Sequence, residues 1–360
     1  MATDEKVPNM KARQSENGND STGSEGSTSD QTDSCFTEKH FRPGVLPTSA
    51  SHWTSRDLKS IGVSYSPDVS EIKHLLSIIQ IGRELPVSKE LPEIGQTLVE
   101  LTKEVFNISF NCKSPRSNLE TSQNLEKISN LISGFSSQIE SFREQHSRLL
   151  LDSTNFRAFC KWSCNIREFF TDVQSFVIRR GQEEPTDGMF RHLFMMFSRI
   201  CLLKPEPGEI HTGSLRMKGQ EINAVPDVRF TQNLHGQPLQ IQVVTMAEMK
   251  KHDVNEPGPP PSKLLSQHAA KLLIEMTSSY FMPAVLGIVC IGTKITFTFL
   301  EMDIDVFCKQ LLHKTERGHK LHPVIQHTKA YDYMDVDDRT EILEFLFWLG
   351  YVQSMGYEDI

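Results

Sequence analysis

Apolar residues recur at helical spacing over a long part of the chain that begins near Pro67. Three stretches between Pro67 and Ile178 place apolar side chains three and four positions apart, which predicts an α-helical region. Pro86 and Pro92 interrupt the first stretch, so we expect it to form two helices. The second stretch carries its apolar residues at Leu125, Ile128, Leu131, Ile132, Phe135, Ile139 and Phe142. The third stretch starts near Phe156 and is rich in aromatic residues.

Two interpretations fit the second helical stretch. Its apolar stripe either packs within the chain, as part of a helical hairpin or small bundle, or forms a coiled-coil dimerisation arm at residues 119–150. We prefer the internal core because the heptad pattern is short and irregular.

A different pattern, in which helices alternate with strands, begins near Gly181. Its predicted elements are a helix that opens at Pro185-Thr186-Asp187-Gly188, a strand at 222–230, a strand at 239–250, a helix at 263–280 and two strands at 285–291 and 294–300 joined at Gly292-Thr293. The strand at 239–250 is apolar on both faces, so we expect it at the centre of a sheet. This order predicts an α/β fold with a mixed sheet flanked by helices.

These patterns divide the chain into three regions. Residues 1–66 form an acidic tail rich in Ser, Thr and Gly, and they have too few apolar side chains to offset the entropy of ordering, so we expect disorder there. Residues 67–180 are the α-helical region, and residues 181–360 are the α/β domain with a C-terminal helix. The acids before that last helix, among them Asp335 and Asp337, are expected to cap it.

The net charge of −8 is concentrated in the tail. Between Gln14 and Glu38 there are six acidic residues and no Lys or Arg, so this segment accounts for most of the excess. The acidic balance excludes a histone-like or generally basic nucleic-acid binder. Because most of the negative charge lies in the tail, the folded regions remain compatible with a nucleic-acid substrate.

The chain also lacks the patterns of membrane and secreted proteins. It has no run near the roughly 20 apolar residues that span a bilayer, and its first residues lack a basic and then apolar signal segment. Its seven cysteines are scattered and odd in number, unlike a disulfide framework. We expect an intracellular protein, in the nucleus or the cytoplasm, that does not contact a membrane.

The candidate chemistry lies where the strands at 222–230 and 239–250 meet. Residues two apart in a strand point to the same face, so Glu248 and Lys250 project together and Asp227 can meet them from the neighbouring strand. Val244 and Met246 alternate with Glu248, so we expect its face to be largely covered. Two carboxylates beside an ammonium form a site for Mg²⁺ or Mn²⁺. Asp227 and Glu248 are therefore predicted metal ligands.

These residues also resemble a known motif. Pro226-Asp227, followed after 20 residues by Glu248-Met249-Lys250, resembles the PD-(D/E)xK motif of the restriction-endonuclease-like nuclease superfamily. The resemblance covers about residues 183–302, whose order of elements is similar to the helix–strands–helix–strand core of that fold. It implies a restriction-endonuclease-like mixed sheet in which Asp227 and Glu248 bind metal and Lys250 assists the attacking water.

The resemblance implies two further site residues. Many exonuclease-type members carry a Gln on the following helix, and Gln267 stands at that point, whereas Lys271 replaces the Tyr that often follows four residues later. An acid on the first core helix is also implied. Glu183, Glu184 and Asp187 all lie near the start of that helix, and the sequence does not choose among them.

Two functional hypotheses follow. The first is a metal-dependent phosphodiesterase acting on DNA or RNA, with Asp227, Glu248, Lys250 and Gln267 as catalytic residues. The second is a catalytically inactive nuclease-like fold that serves as a protein-binding or nucleic-acid-binding scaffold, with protein partners contacting the helical region. The unassigned helix acid and the modest basic charge favour the second hypothesis.

Overall fold

The computed structural model describes residues 45–80, 88–110, 118–210, 212–233, 241–250, 261–303, 307–308 and 322–354. The predicted disorder of residues 1–44 and the predicted turn around residues 235–238 lie outside these ranges. The described part is a mixed α/β structure in which helices cover both faces of a mixed sheet.

The helices that the sequence predicted from apolar spacing are present, with shifted ends. The α-helices are α1 (Ser55–Ile61), α2 (Ile72–Gln80), α3 (Glu93–Val105), α4 (Asn118–Gln145), α5 (Ser153–Arg180), α6 (Asp187–Ile200), α7 (Ser262–Glu275) and α8 (Val336–Gln353). Asp335 caps α8 as predicted, because its side chain accepts hydrogen bonds from the backbone N–H groups of Asp337 and Asp338. Among the described helices, none combines the length and apolar character needed to cross a membrane.

The strands form one large sheet and one hairpin. They are β1 (Ser64–Ser70), β2 (Pro205–Pro207), β3 (Gly213–Met217), β4 (Gln220–Ala224), β5 (Val228–Asn233), β6 (Ile241–Lys250), β7 (Ala284–Ile291), β8 (Lys294–Glu301), β9 (Val324–Thr328) and β10 (Tyr331–Asp332). The main sheet has the order β1-β9-β8-β7-β6-β5-β2, with β10 paired to β8, while β3 and β4 pair separately.

The strands predicted at 239–250, 285–291 and 294–300 correspond to β6, β7 and β8 in the centre of the main sheet, whereas the one predicted at 222–230 is divided between β4 of the hairpin and β5 of the main sheet. β6 pairs with β5 on one side and β7 on the other, which confirms its predicted central position. The β5–β6 pairing is antiparallel, whereas β6 and β7 are parallel and α7 connects them. The outer strands β1 and β2 both contain proline, which lacks a backbone donor and so discourages pairing with a further strand.

Two apolar clusters lie on opposite faces of this sheet. In β7, Leu286 belongs to the cluster formed with α2–α6 and α8, and its neighbour Val285 to the cluster formed with α1, α7 and the β3–β4 hairpin. The predicted boundary near residue 180 therefore does not separate two cores. Phe169 of α5, for example, packs against Phe197 of α6 with ring centroids 5.9 Å apart. Both regions contribute side chains to the first cluster, so the apolar stripes of the helical region are buried against the α/β region.

Residues 45–66 correct the predicted extent of the disordered tail. This segment forms α1 and enters β1, which pairs in parallel with β9. Trp53 and Leu58 are buried in the cluster beside α7, and Thr54 and Asp57 form a capping box at the start of α1. The polar composition of the preceding residues obscured these few apolar side chains, whose burial needs partners distant in sequence.

The helical hairpin of α4 and α5 packs within the chain. Ile128, Phe135 and Phe142 of α4 are buried in the first cluster, and the ring of Phe142 stacks on Phe159 of α5 with centroids 5.1 Å apart. This packing agrees with the internal core that we preferred over a coiled-coil arm.

A buried arginine joins α8 to the end of α3. The guanidinium of Arg339 donates hydrogen bonds to the carbonyl oxygens of Tyr333, Phe106 and Ile108, and it lies 3.5 Å from the centroid of the Phe106 ring. Three backbone acceptors in a buried region are thereby satisfied by one side chain.

Candidate functional site

Asp227 is placed by close packing of the backbone where β5 begins. Its N–H donates to the carbonyl of Ala247 at 3.1 Å, and its own carbonyl accepts from the N–H of Gly208 at 3.1 Å. Its carboxylate Oδ2 accepts a 2.6 Å hydrogen bond from the N–H of Met249. An added Cβ at Gly208 would lie 1.6 Å from the carbonyl oxygen of Pro226, so this approach requires glycine.

Glu248 and Lys250 lie two residues apart at the C-terminal end of β6 and point to the same face of the sheet. The Lys250 ammonium lies 3.4 Å from Glu248 Oε1 and 4.0 Å from Asp227 Oδ2, so the structure brings the three predicted residues together. The Lys250 and Asp227 side chains are 41% and 29% exposed, whereas that of Glu248 is 4% exposed. A solvent-borne molecule can therefore reach the ammonium and the Asp227 carboxylate, while Glu248 forms the covered side of the group.

The expected cover over Glu248 is only partly as predicted. Met246 shares its face, but Val244 packs in the cluster on the opposite face of the sheet. The reason is a register shift between β5 and β6, in which Phe230 opposes Thr245 and Thr231 opposes Val243, so that Val244 is skipped and the alternation inverts.

Lys271 is the site residue whose role the sequence did not reveal. It lies in the middle of α7, its side chain is 3% exposed, and its ammonium donates a hydrogen bond to Glu248 Oε2. Its position among the small and apolar residues Ala269, Ala270 and Leu272 is the signal that could have indicated a buried cation.

The pKa values of Glu248 and Lys250 are both raised, for different physical reasons. Burial raises the pKa of Glu248, and the negative charge of Asp227 raises it further, against the lowering effect of Lys271 and Lys250. Burial lowers the pKa of Lys250, but Glu248, Asp227 and Asp187 together outweigh burial and raise that pKa above its usual value. Lys250 is therefore an ammonium at neutral pH and acts as a charge rather than as a base.

Asp187, one of the three candidate helix acids, acts on Lys250 through its charge. It is the first residue of α6, Thr186 caps that helix, and the Asp187 charge contributes to the raised pKa of Lys250. Of the three acids that the sequence left open, Asp187 is thus tied electrostatically to the predicted site.

A second buried ion pair lies on the same helix as Lys271. Glu275, four residues further along α7, pairs with Arg229 of β5, and their side chains are 3% and 5% exposed. Burial raises the pKa of Glu275, and Arg229 opposes that effect. The two pairs together tie α7 to adjacent strands, because each buried charge requires its counter-charge on the sheet.

Gln267 has a different partner from the one the resemblance implies. Its side-chain amide donates to the carbonyl of Ser51 and so ties α7 to the segment before α1. None of the contacts in the described ranges brings its amide to Asp227, Glu248 or Lys250.

The neighbouring His268 is fully buried, and its Nε2 lies 2.7 Å from the hydroxyl of Thr298. Burial, reinforced by Lys271, lowers the pKa of His268 to about 3. The ring is therefore neutral at physiological pH and serves to pack α7 against the sheet.

Two carboxylates are the oxygen donors that this site offers to a divalent ion. Across the described ranges, no group of three or more His, Cys, Asp or Glu side chains is arranged to hold a metal ion. Mg²⁺, however, is commonly held by one or two carboxylates, with water and substrate phosphate completing its octahedron. Asp227 and Glu248 are two such carboxylates, and each has acceptor capacity beyond the hydrogen bond that it accepts from Met249 or Lys271.

A separate cleft of about 600 Å³ lies away from these residues in the fold. Its lining includes Glu71, Lys73, Lys103, Lys329 and Glu344, and none of the predicted site residues. Lys103 forms an ion pair with Glu100 and Lys329 with Glu341, so these two lysine charges are compensated by nearby carboxylates.

Comparison of the chain with protein-family models, with curated proteins and with solved structures gives no match.

The Gly208 contact generates a prediction about site placement. Gly208→Ala should lower the free energy of unfolding by about 3 kcal/mol or more, because the new methyl group cannot fit beside the Pro226 carbonyl without moving Asp227. Urea denaturation measures this change. Gly134→Ala is the matched control: an added Cβ there meets nothing within 4 Å, and replacing a glycine inside α4 should stabilise the chain by about 0.5–1 kcal/mol. Equal stability of the two variants would refute the proposed packing.

His268 generates a prediction about pH dependence. Its folded pKa of about 3 lies below the unfolded value of roughly 6.5, so the unfolded chain binds the extra proton between these limits. The stability from neutral His268 is complete above pH 6.5 and is lost as pH falls towards 3. His268→Gln should therefore reduce the slope of unfolding free energy between pH 6.5 and 4.5 by up to about 1.4 kcal/mol per pH unit. Urea titrations at several pH values test this, with the exposed His74→Gln as control; identical slopes in wild type and His268→Gln would exclude the assignment.

Proposed function

We propose that the chain is a metal-dependent phosphodiesterase of the restriction-endonuclease-like type, acting on DNA or RNA. The observation that carries the proposal is the convergence of Asp227, Glu248 and Lys250 on adjacent strands, with the ammonium 3.4 Å and 4.0 Å from the two carboxylates. An isolated Pro-Asp step and Glu-x-Lys triplet are common in sequences, but their meeting in space is not implied by either alone.

The order and direction of the elements support the same proposal. α6 precedes the antiparallel strands β5 and β6, and α7 then crosses to β7, which runs parallel to β6. This agrees with the helix–strands–helix–strand core that the resemblance implies. In the proposal, Asp187 takes the place of the acid on the first core helix, because it starts α6 and its charge acts on Lys250.

The protein residues have distinct roles in the proposed hydrolysis. Asp227 and Glu248 would hold the divalent ion, which lowers the pKa of a bound water and polarises a phosphoryl oxygen. Lys250, charged at neutral pH, donates hydrogen bonds to the attacking oxygen or to the phosphoryl oxygens as negative charge develops on them. The attacking water forms a new P–O bond and loses a proton to solvent, while the bond from phosphorus to the departing nucleoside oxygen breaks and that oxygen takes up a proton from solvent.

A specific observation favours a second candidate, the inactive scaffold. Lys271 already supplies a positive charge to Glu248 within a buried environment, so the fold does not need a metal ion to compensate this carboxylate. Leu151 and Phe156, where α4 turns into α5, are 84% and 40% exposed and offer apolar surface to a protein partner.

The phosphodiesterase proposal predicts cleavage of labelled single- or double-stranded DNA or RNA in Mg²⁺ or Mn²⁺, and none in chelator. Lys250→Met and Asp227→Asn should each lower the rate by at least about 100-fold, since each removes charge from the reacting centre. Asparagine keeps an oxygen that can accept from Met249 N–H, so the second variant should remain folded. The exposed Lys161→Met on α5 is the control with the same change of charge, and it should cleave at the wild-type rate.

The two candidates are separated by the wild-type protein itself. If the wild-type protein cleaves none of the four substrates and its melting temperature does not change with Mg²⁺, the phosphodiesterase proposal is rejected and the scaffold is favoured. In that case Asp227→Asn should unfold at the wild-type temperature with or without Mg²⁺, as a site without metal requires.

A further inference from the structure

The two oxygens of the Glu248 carboxylate are divided between two different cations. Oε2 accepts from Lys271, whose side chain is 3% exposed, and Oε1 lies 3.4 Å from Lys250, whose side chain is 41% exposed. One cation is thus enclosed by the fold and the other is in contact with solvent. The two contacts therefore differ in how readily they can be exchanged.

Lys271 is held in place by the cost of separating it from Glu248. Both side chains are almost fully covered, and breaking a buried ion pair leaves two charges without compensation, which costs several kcal/mol. Lys250 has no such constraint, because its ammonium can turn into water on a flexible four-carbon stem. A divalent ion that approaches Glu248 would accordingly displace Lys250 from Oε1 and leave Lys271 on Oε2.

The charge around the group also limits how many ions it can take. Asp227 and Glu248 contribute two negative charges, and Lys271 and Lys250 contribute two positive charges, so the four side chains are balanced before any ion binds. One divalent ion can be offset by Asp187 and a substrate phosphate. A second ion, placed about 4 Å from the first as in two-metal sites, would find Oε2 already taken by an ammonium.

We propose that Lys271 is a positioning residue that acts as the resident cation of this site: it holds one oxygen of Glu248 permanently and restricts the site to a single divalent ion shared by Asp227 and Glu248 Oε1. The single ion rests on the proposed phosphodiesterase function, whereas the role of Lys271 as the counter-charge of Glu248 does not. Lys271 touches neither substrate nor reacting atoms in this assignment.

The test uses Mn²⁺ alone as probe and thermal unfolding of the full chain as readout. Lys271→Gln keeps a hydrogen-bond donor for Glu248 but removes the charge, so Mn²⁺ becomes the missing counter-charge. The variant should melt below wild type in chelator, and saturating Mn²⁺ should raise its melting temperature by at least about 3 °C more than that of wild type. Lys271→Arg keeps the charge and should show the wild-type Mn²⁺ shift.

The other buried ion pair of α7 supplies the matched control. Arg229→Gln removes the cation beside Glu275 in the same way and should lower the melting temperature, but its Mn²⁺ shift should equal that of wild type. An enlarged shift in Arg229→Gln as well would overturn the inference, because any unpaired buried carboxylate would then bind Mn²⁺. Equal shifts in wild type and Lys271→Gln, or no shift in either, would also overturn it.

The outcome for wild type separates this inference from the proposed function. A Mn²⁺ shift in Lys271→Gln but none in wild type would support Lys271 as the resident cation and reject a metal-dependent phosphodiesterase. Shifts in both, larger in the variant, would support both. Lys271→Gln could fail to fold in chelator, and the test then uses the recovery of a cooperative unfolding transition when Mn²⁺ is added. Recovery supports the inference. Lack of recovery overturns it, because the loss of stability is then not caused by the missing counter-charge.

Discussion

The position of α7 on the sheet depends on two buried charged side chains of that helix. Lys271 and Glu275 lie one turn apart and face Glu248 of β6 and Arg229 of β5. An unpaired buried charge is costly, so a displacement of α7 by one residue would be penalised at two positions at once. The register that satisfies both pairs also holds Glu248 Oε2 against Lys271, while Oε1 lies near Lys250. The packing of α7 and the geometry of the site therefore depend on the same ion pair.

The site combines fixed and movable parts. Asp227 is held through its backbone, by hydrogen bonds to Ala247 and Gly208, and through its carboxylate by Met249 N–H. Glu248 is held by Lys271 in a covered position. Lys250 has the most exposed side chain of these charges, at 41%. A rigid pair of acids with one adaptable cation is an arrangement suited to binding an anionic group at a fixed point.

Much of the secondary structure and part of the site follow from local pattern. Apolar spacing predicted α2 to α8 and the strands β6 to β8, because periods of 3.6 and 2 are properties of a segment by itself. The single strand predicted at 222–230 is divided between β4 and β5. β1, β2 and β9 were not predicted, since they are short or partly exposed and acquire strand character only from their neighbours. The register shift at Val244 could not be predicted either, because it is a property of the pairing of β5 with β6 and not of one strand.

The sequence by itself determined the helical and strand periods, the central position of β6 and the face that Glu248 and Lys250 share. Only the tertiary structure decided that Asp187 acts on Lys250, that Gln267 donates to Ser51, and that Lys271 compensates Glu248. It also joined the helical region to one face of the sheet in a common core. The physical reason is the same in each case: these contacts link residues far apart in the chain, and a polar side chain carries no local signal of the partner that its burial requires.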